Sequence, residues 1–349
     1  MRLELREAPP IWLAGLAPVL AVAAALLLCA GLIVWTGESV LEAYALLVKG
    51  AVGSRFALAE TLTRATPLIL TGLAAAVAFR AKLWNIGGEG QLYMGALAAT
   101  WLGTGALDLP PFLLIPILLI AGALAGGSVL IVPALIKNKL KVDEVVTTLL
   151  LNFIILLFVN YLLEGPLKDP MSLGWPQAAP IVDEGLLPKI LEKSRLHLGL
   201  IIALLAALAI WLVMRFTVWG FEIKAVGLNA RGAAFAGINV NATIIRTALI
   251  SGGLAGIAGV GEVIGLKGYL TLDLSPGFGY TGIAVAMLAQ LHPIGVVVSA
   301  FFLAGIYVGA DSMGRAVNIP TYLADVLVAS SVLCVLVSVM LVRFRIRRG

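Results

Sequence analysis

The feature that most limits what this chain can fold into is a succession of long apolar segments. Ten are read, near 11–35, 60–80, 86–105, 111–136, 144–163, 197–217, 242–265, 280–291, 294–311 and 322–342. Crossing ~30 Å of hydrocarbon at ~1.5 Å per residue takes about 20 apolar residues in a helix. Lipid offers no partner for backbone N–H and C=O groups, so a spanning segment closes its hydrogen bonds within a helix or a closed barrel. These runs are continuously apolar and do not alternate, which excludes barrel strands. The expected fold is an all-α polytopic membrane protein with about ten transmembrane helices in one domain, 1–349. The run at 280–291 is short and reads as a half-helix or a re-entrant element.

Composition agrees. Hydrophobic residues make up 61% and charged residues 12% of 349, where a soluble domain carries about 45–50% and about 25%. Soluble cores stop growing near ~250–300 residues, so a soluble enzyme, a nucleic-acid binder and a disordered chain are excluded. The net charge of +5 is scattered over short loops and gathers on no face, so no nucleic-acid partner is expected. Cys29 and Cys334 lie in apolar runs and read as small buried hydrophobes. With two histidines, no CxxC and no HExxH, no metal site and no cofactor are expected in this chain.

Arg2 and Arg6 precede the first apolar run, which is too long for a signal-peptide core and reads as an uncleaved first span. With the N-terminus inside, the inner segments hold 15 of 24 basic and 6 of 19 acidic residues. That is the bias of cytoplasmic loops. Both termini are expected in the cytoplasm, 164–196 is read as an extracytoplasmic loop and 218–241 as a cytoplasmic one.

An internal repeat is visible. Pro67-Leu-Ile-Leu-Thr71-Gly72 is echoed by Pro276-Gly-Phe-Gly-Tyr-Thr281-Gly282, and Ile86-Gly87 by Ile294-Gly295, at offsets of 208–210 residues. Six spans separate the copies, so both run in one direction, as in parallel-repeat transporters. Glycines at Gly122/Gly126, Gly252/Gly256, Gly261/Gly265 and Gly305/Gly309 have the spacing that lets helix backbones approach closely.

Three stretches carry chemistry. Trp84-Asn85-Ile86-Gly87-Gly88-Glu89-Gly90-Gln91 sets a carboxylate, two amides and three glycines between two spans. It is either broken helix lining a cavity, with Glu89 a costly intramembrane charge, or a polar turn at the membrane surface. Lys137 to Asn152 is a basic turn leading into a helix whose first turn holds Asp143 and Glu144, suited to the helix dipole. Asn152, about two turns deeper, either contacts a solute or bonds a neighbouring helix. Trp219 to Asn239 alternates charged and apolar residues and reads as one or two short surface helices exposing Phe221, Ile223 and Phe235. Such a face suits a docking partner or a lipid surface.

In this order and spacing the segments resemble the permease subunits of bacterial ATP-binding cassette (ABC) importers, in the branched-chain amino acid, ribose and nucleoside permease superfamily. The resemblance covers about 60–345. Asn85-Ile-Gly-Gly-Glu-Gly-Gln91 is similar to the most recognisable motif of that family, although Gly88 stands where a larger residue is expected. Asp143–Asn152 and Tyr161-Leu-Leu-Glu-Gly-Pro166 resemble the nucleoside-type branch. Phe221–Gly237 resembles the coupling helix that docks on the ATPase, and Gly279–Ala286 the late family signature.

The resemblance implies a non-enzymatic subunit of the bacterial inner membrane, since no G-x-x-x-x-G-K-[ST] is present to cradle ATP. ATP and Mg would act on partner ATPase subunits. A second, related but different permease chain and an extracytoplasmic substrate-binding lipoprotein would complete the assembly in membrane lipid. Asn85, Glu89, Gln91, Asn152, Asn160 and Tyr161 would line a pathway for nucleosides or, alternatively, simple sugars, and Phe221, Glu222, Lys224, Gly227 and Arg231 would couple to the ATPase. The competing class is an ion-driven carrier using Glu89, Glu262 or Asp325.

Overall fold

The computed structural model describes residues 2–5, 11–317 and 322–347. Arg6 and Arg348, counted above among the inner charges, lie outside them. The chain is helical: α1 (Ile11–Trp35), α2 (Val40–Val52), α3 (Arg55–Arg80), α4 (Gly88–Gly103), α5 (Pro111–Leu140), α6 (Glu144–Glu164), α7 (Gly199–Phe216), α8 (Val218–Leu228), α9 (Ala230–Phe235), α10 (Val240–Gly261), α11 (Phe278–Leu288), α12 (Pro293–Ala316) and α13 (Leu323–Arg343). A π-helical turn, Glu262–Lys267, extends α10.

Among the described residues six helices are long and apolar enough to cross a bilayer: α3, α5, α6, α7, α10 with its π turn, and α12. The pair Ala23–Trp35 and Val40–Val52, bent by 117°, makes up to seven. Three of the expected ten, 86–105, 280–291 and 322–342, are not among these, the last forming α13. α2 lies in a stretch read as a connection. The segment expected over 86–105 is the 16-residue α4, preceded by irregular chain from Ala81 to Gly87. The segment at 280–291 is the 11-residue α11. Glycine and polar residues at both starts supply no continuous apolar stretch, so those helices begin inside the protein.

The all-α expectation needs one amendment. Arg2–Leu5 and Phe344–Arg347 pair as an antiparallel two-stranded ribbon, Arg2 opposite Arg347 and Leu5 opposite Phe344. Backbone pairing of the two ends puts them on one side of any membrane the chain spans.

The chain divides into two compact units, residues 1–61 with 302–349, and residues 62–301. In the first, α1 packs along α13. Gly309 lies on the Leu47 carbonyl with no room for a Cβ, and Thr61 Oγ1 donates to Ala51 O at 2.7 Å.

The second unit is built around α10. Gly252 and Gly256 sit directly on the Gly126 and Gly122 carbonyls of α5, Gly256 also abuts Gly95 of α4, and Gly259 meets Leu92 O. Two of the four glycine pairs read from the sequence thus form one three-helix seam. Gly261, in another pair, has open space around it. In lipid, where burial of apolar surface drives little association, such close backbone contact is what holds helices together.

The two repeat copies pack on each other: Gly282 of α11 lies on Thr71 of α3, and Gly72 on Val285. Further along, Arg80 Nε donates to Leu291 O at 2.9 Å. α3 and α11 therefore run parallel and in register.

Candidate functional site

The Asn85–Gln91 stretch is the junction of the second unit. Three glycines let the chain turn into α4, whose first residues are buried. Asn85 Nδ2 donates to Gln91 Oε1 at 2.9 Å and to Ser251 Oγ at 3.0 Å. Its Oδ1 accepts from Gln91 Nε2 at 2.8 Å and from Gly87 N at 2.9 Å. Ser251 Oγ in turn donates to Ala74 O at 2.7 Å, so one amide pair ties α3, α4 and α10 together.

Glu89 is 3% exposed, and its Oε2 accepts from Gly279 N, at the start of α11, at 2.7 Å. The N-termini of α4 and α11 thus meet at one carboxylate, where two positive dipole ends favour negative charge. The approach is backbone to backbone. Gly279 has no room for a Cβ against Gly88 and Glu89, and a Cβ on Gly88 would lie 3.3 Å from Gly279 O. Gly88, the departure from the family pattern, is thereby accounted for: a larger residue would press on α11.

Asn152 lies beside it. Its Oδ1 accepts from Gly90 N at 2.8 Å, and its Nδ2 donates to Ile86 O at 2.9 Å and Tyr280 Oη at 3.2 Å. This is interhelical bonding, the second of the two roles open to it in the sequence. Asn160 and Tyr161 are not brought to the junction. They lie about two turns further along α6, Asn160 half-buried and Tyr161 exposed. Of the carboxylates a carrier would use, Glu262 is buried in the π turn and Asp325 is exposed on α13. Among the described residues no group of three His, Cys, Asp or Glu side chains is placed to hold a metal ion.

Sequence reasoning missed Ser251, Tyr280 and Thr148. Thr148 Oγ1 accepts from Ile86 N at 3.2 Å. Ser251 is a polar residue in an apolar helix without a visible signal, whereas Tyr280, inside the repeat, and Thr148, inside Asp143–Asn152, lay in stretches already singled out. Glu144 does more than suit a dipole. It is buried, accepts from Trp84 N at 3.1 Å, and pairs with Lys137, whose Nζ also donates to Lys82 O at 2.6 Å. Lys137→Met is expected to cost about 2–3 kcal/mol of stability, between the values for exposed and buried pairs, read as a lower melting midpoint in detergent. The double change Lys137→Met, Glu144→Leu should recover part of that loss. An unchanged midpoint in the single variant would show the pair contributes nothing.

The stretch expected as short surface helices is α8 and α9, each capped by its own residue: Thr217 Oγ1 accepts from Gly220 N, and Asn229 Oδ1 from Gly232 N. Phe221, Leu228 and Phe235 are exposed. Ile223, expected with them, is 3% exposed. On a 3.6-residue period Ile223, Val226 and Gly227 share the inner face of α8. Glu222 pairs with Arg246 at 3.7 Å, whose guanidinium also lies over the Trp219 ring, and Lys224 Nζ donates to Met214 O. Gly227 rests on the Arg80 carbonyl with no room for a Cβ. Arg231, Lys82 and Lys137 border an open groove of about 370 Å³ beside α8 and α9.

The polar groups of this junction are consumed in holding helices to one another inside an apolar bundle, the economy of a multi-pass transport protein. Residues 57–336 match the family model described as the branched-chain amino acid transport system permease component, and the chain belongs to that family. It is similar to the guanosine ABC transporter permease protein NupP of Bacillus subtilis (strain 168), 38% identical over 92% of each chain. It is also similar to the glucose ABC transporter permease protein TsgB13 of Haloferax volcanii, 34% identical over 100% of this chain and 95% of that one. The nucleoside ABC transporter permease proteins NupB and NupC of Lactococcus lactis subsp. cremoris are 32% and 26% identical, over 85% and 73% of this chain and 84% and 82% of theirs. The chain is thus an ABC transporter permease, and the ion-driven carrier is set aside.

Proposed function

We propose that this chain is one of two non-identical permease subunits of an importer that moves nucleosides across the bacterial inner membrane. Partner ATPase subunits, binding ATP with Mg, supply the energy by ATP hydrolysis, and an extracytoplasmic binding lipoprotein delivers the solute. The observation that carries the reading is the full-length similarity to the guanosine permease NupP. The similarity to both NupB and NupC of one organism supports a related but different second permease. TsgB13, named for glucose, supports simple sugars as the second reading.

In this reading the buried Asn85, Glu89, Gln91 and Asn152 set the shape of the pathway wall, and Asn160 and Tyr161, on the accessible side of α6, meet the solute. The exposed Phe221, with Glu222, Lys224 and Arg231 around it and Gly227 seating the helix, docks the ATPase on the cytoplasmic side. The irregular segment 165–198 faces outward. Ala178 N and Ile181 N bond Leu270 O and Gly268 O at 3.0 and 2.8 Å, while Met171, Leu173 and Trp175 stand exposed for the binding protein.

Uptake of labelled guanosine, uridine and adenosine, with excess unlabelled ribose or glucose, tests the substrate. In a strain lacking other nucleoside carriers, deletion of the gene should abolish nucleoside uptake, and the sugars should not compete. Retained nucleoside uptake with lost sugar uptake would transfer the assignment to sugars. Extraction in mild detergent should bring an ATPase with the tagged chain.

A further inference from the structure

We propose that α11 is moved as a rod from its C-terminal end, and that Arg80 is the residue transmitting the movement of α8 to it. The proposal rests on the ABC importer reading for its driving force. Its geometry stands within the second unit alone.

Two contacts meet at Arg80. On one side the Gly227 backbone of α8 sits directly on the Arg80 carbonyl and on Ala81, with no room for a side-chain atom between them. A displacement of α8 toward α3 is therefore not absorbed by a flexible side chain. On the other side Arg80 Nε donates to Leu291 O at 2.9 Å, across 211 positions of sequence. An apolar cluster reinforces the link: Val226 of α8, Phe79 at the end of α3 and Leu83 just beyond it pack with Met287 and Leu291.

The turn that Arg80 grips is poised. Gln290 and Leu291 both have positive φ, 51° and 62°, adjacent non-glycine residues in the left-handed region. Such residues persist only where surrounding contacts over-determine them, and the Arg80–Leu291 bond is one such contact. α11, 11 residues long, is held at its other end by Gly279 against Gly88 and Glu89. Between these ends Gly282 and Val285 seat α11 on α3, so a push delivered at the Leu291 turn is carried along the helix to the Gly279 contact. Tyr280, one residue past that contact and 38% exposed, is the side chain such a movement would present to a solute. Arg80 is thus a positioning residue that touches no solute.

The test uses the whole complex, permease pair with its ATPase subunits, in proteoliposomes. Arg80→Met keeps the stem and removes the donor. Arg80→Lys restores a donor within reach of Leu291 O. Leu291→Gly keeps that carbonyl and lets the turn relax. Expected for Arg80→Met are normal assembly, basal ATP hydrolysis within twofold of wild type, and a tenfold or larger fall in solute moved per ATP hydrolysed. Arg80→Lys should recover part of the ratio, and Leu291→Gly should lower it at least threefold.

A maleimide probe on Tyr280→Cys gives a readout that mere destabilisation would not move. Its labelling rate should change on trapping with ATP and vanadate, and Arg80→Met should remove that change. Wild-type coupling in Arg80→Met, or, if that variant does not assemble, in Leu291→Gly, overturns the inference. A wild-type chain that brings down no ATPase overturns the importer reading instead.

Discussion

A Gly256→Leu chain is expected to yield no monodisperse peak when detergent extracts are resolved by size-exclusion chromatography. Gly256 meets both partner helices of the seam among α4, α5 and α10: its α-carbon faces the Gly122 carbonyl, and Gly95 abuts its own backbone. Extra methylenes forced into a packed interior cost about 1–3 kcal/mol even where side chains can shift to admit them. Here the obstacle is backbone on two helices, which cannot rotate away as a side chain would. A leucine therefore consumes a large share of a stability margin of about 5–15 kcal/mol. Gly261→Ala, five residues along the same helix and with open space around it, is the control and should extract like wild type. A normal peak from Gly256→Leu would mean the seam is looser than its geometry states.

The second large effect concerns Glu89. Glu89→Ala strands the Gly279 N–H in a buried site, at about 1–3 kcal/mol, and removes a carboxylate from two helix N-termini, worth up to ~2 kcal/mol when desolvated. Glu89→Gln keeps an acceptor for Gly279 N and loses only the charge. The expected order of melting midpoints in detergent is wild type, then Gln, then Ala, with vesicle uptake falling in the same order and nearly absent in Ala. An alanine variant that melts and transports like wild type would show that the carboxylate does not hold the α4–α11 junction.

The exposed and buried faces of α8 illustrate what was legible in the sequence and what was not. That this stretch would form short helices was readable, because alternating charged and apolar residues are a local signal; the caps at Thr217 and Asn229 came from the structure. That Ile223 would face inward beside Gly227 was not, because it depends on where the end of α3 lies. The same holds for α11. Its shortness followed from the length of its apolar run. Its role as a helix pinned at both ends, by Glu89 and by Arg80, needed contacts spanning 190 and 211 residues.

Glu89 itself shows the boundary. Sequence left it between an intramembrane charge and a surface turn. It is neither a free charge nor a surface residue, but the buried joint between two helix starts.

The sequence by itself determined that this chain spans lipid, that it does so with helices, and which segments are apolar enough to try. Those properties follow from the length and polarity of contiguous residues, and lipid imposes the same demand on each segment separately. Tertiary structure alone decided which polar group answers which. Asn85 reaches Ser251 across 166 residues, and Gly252 and Gly256 find the carbonyls of Gly126 and Gly122. In an apolar medium a polar or backbone contact is specified by the position of both partners, and position is a property of the packed bundle.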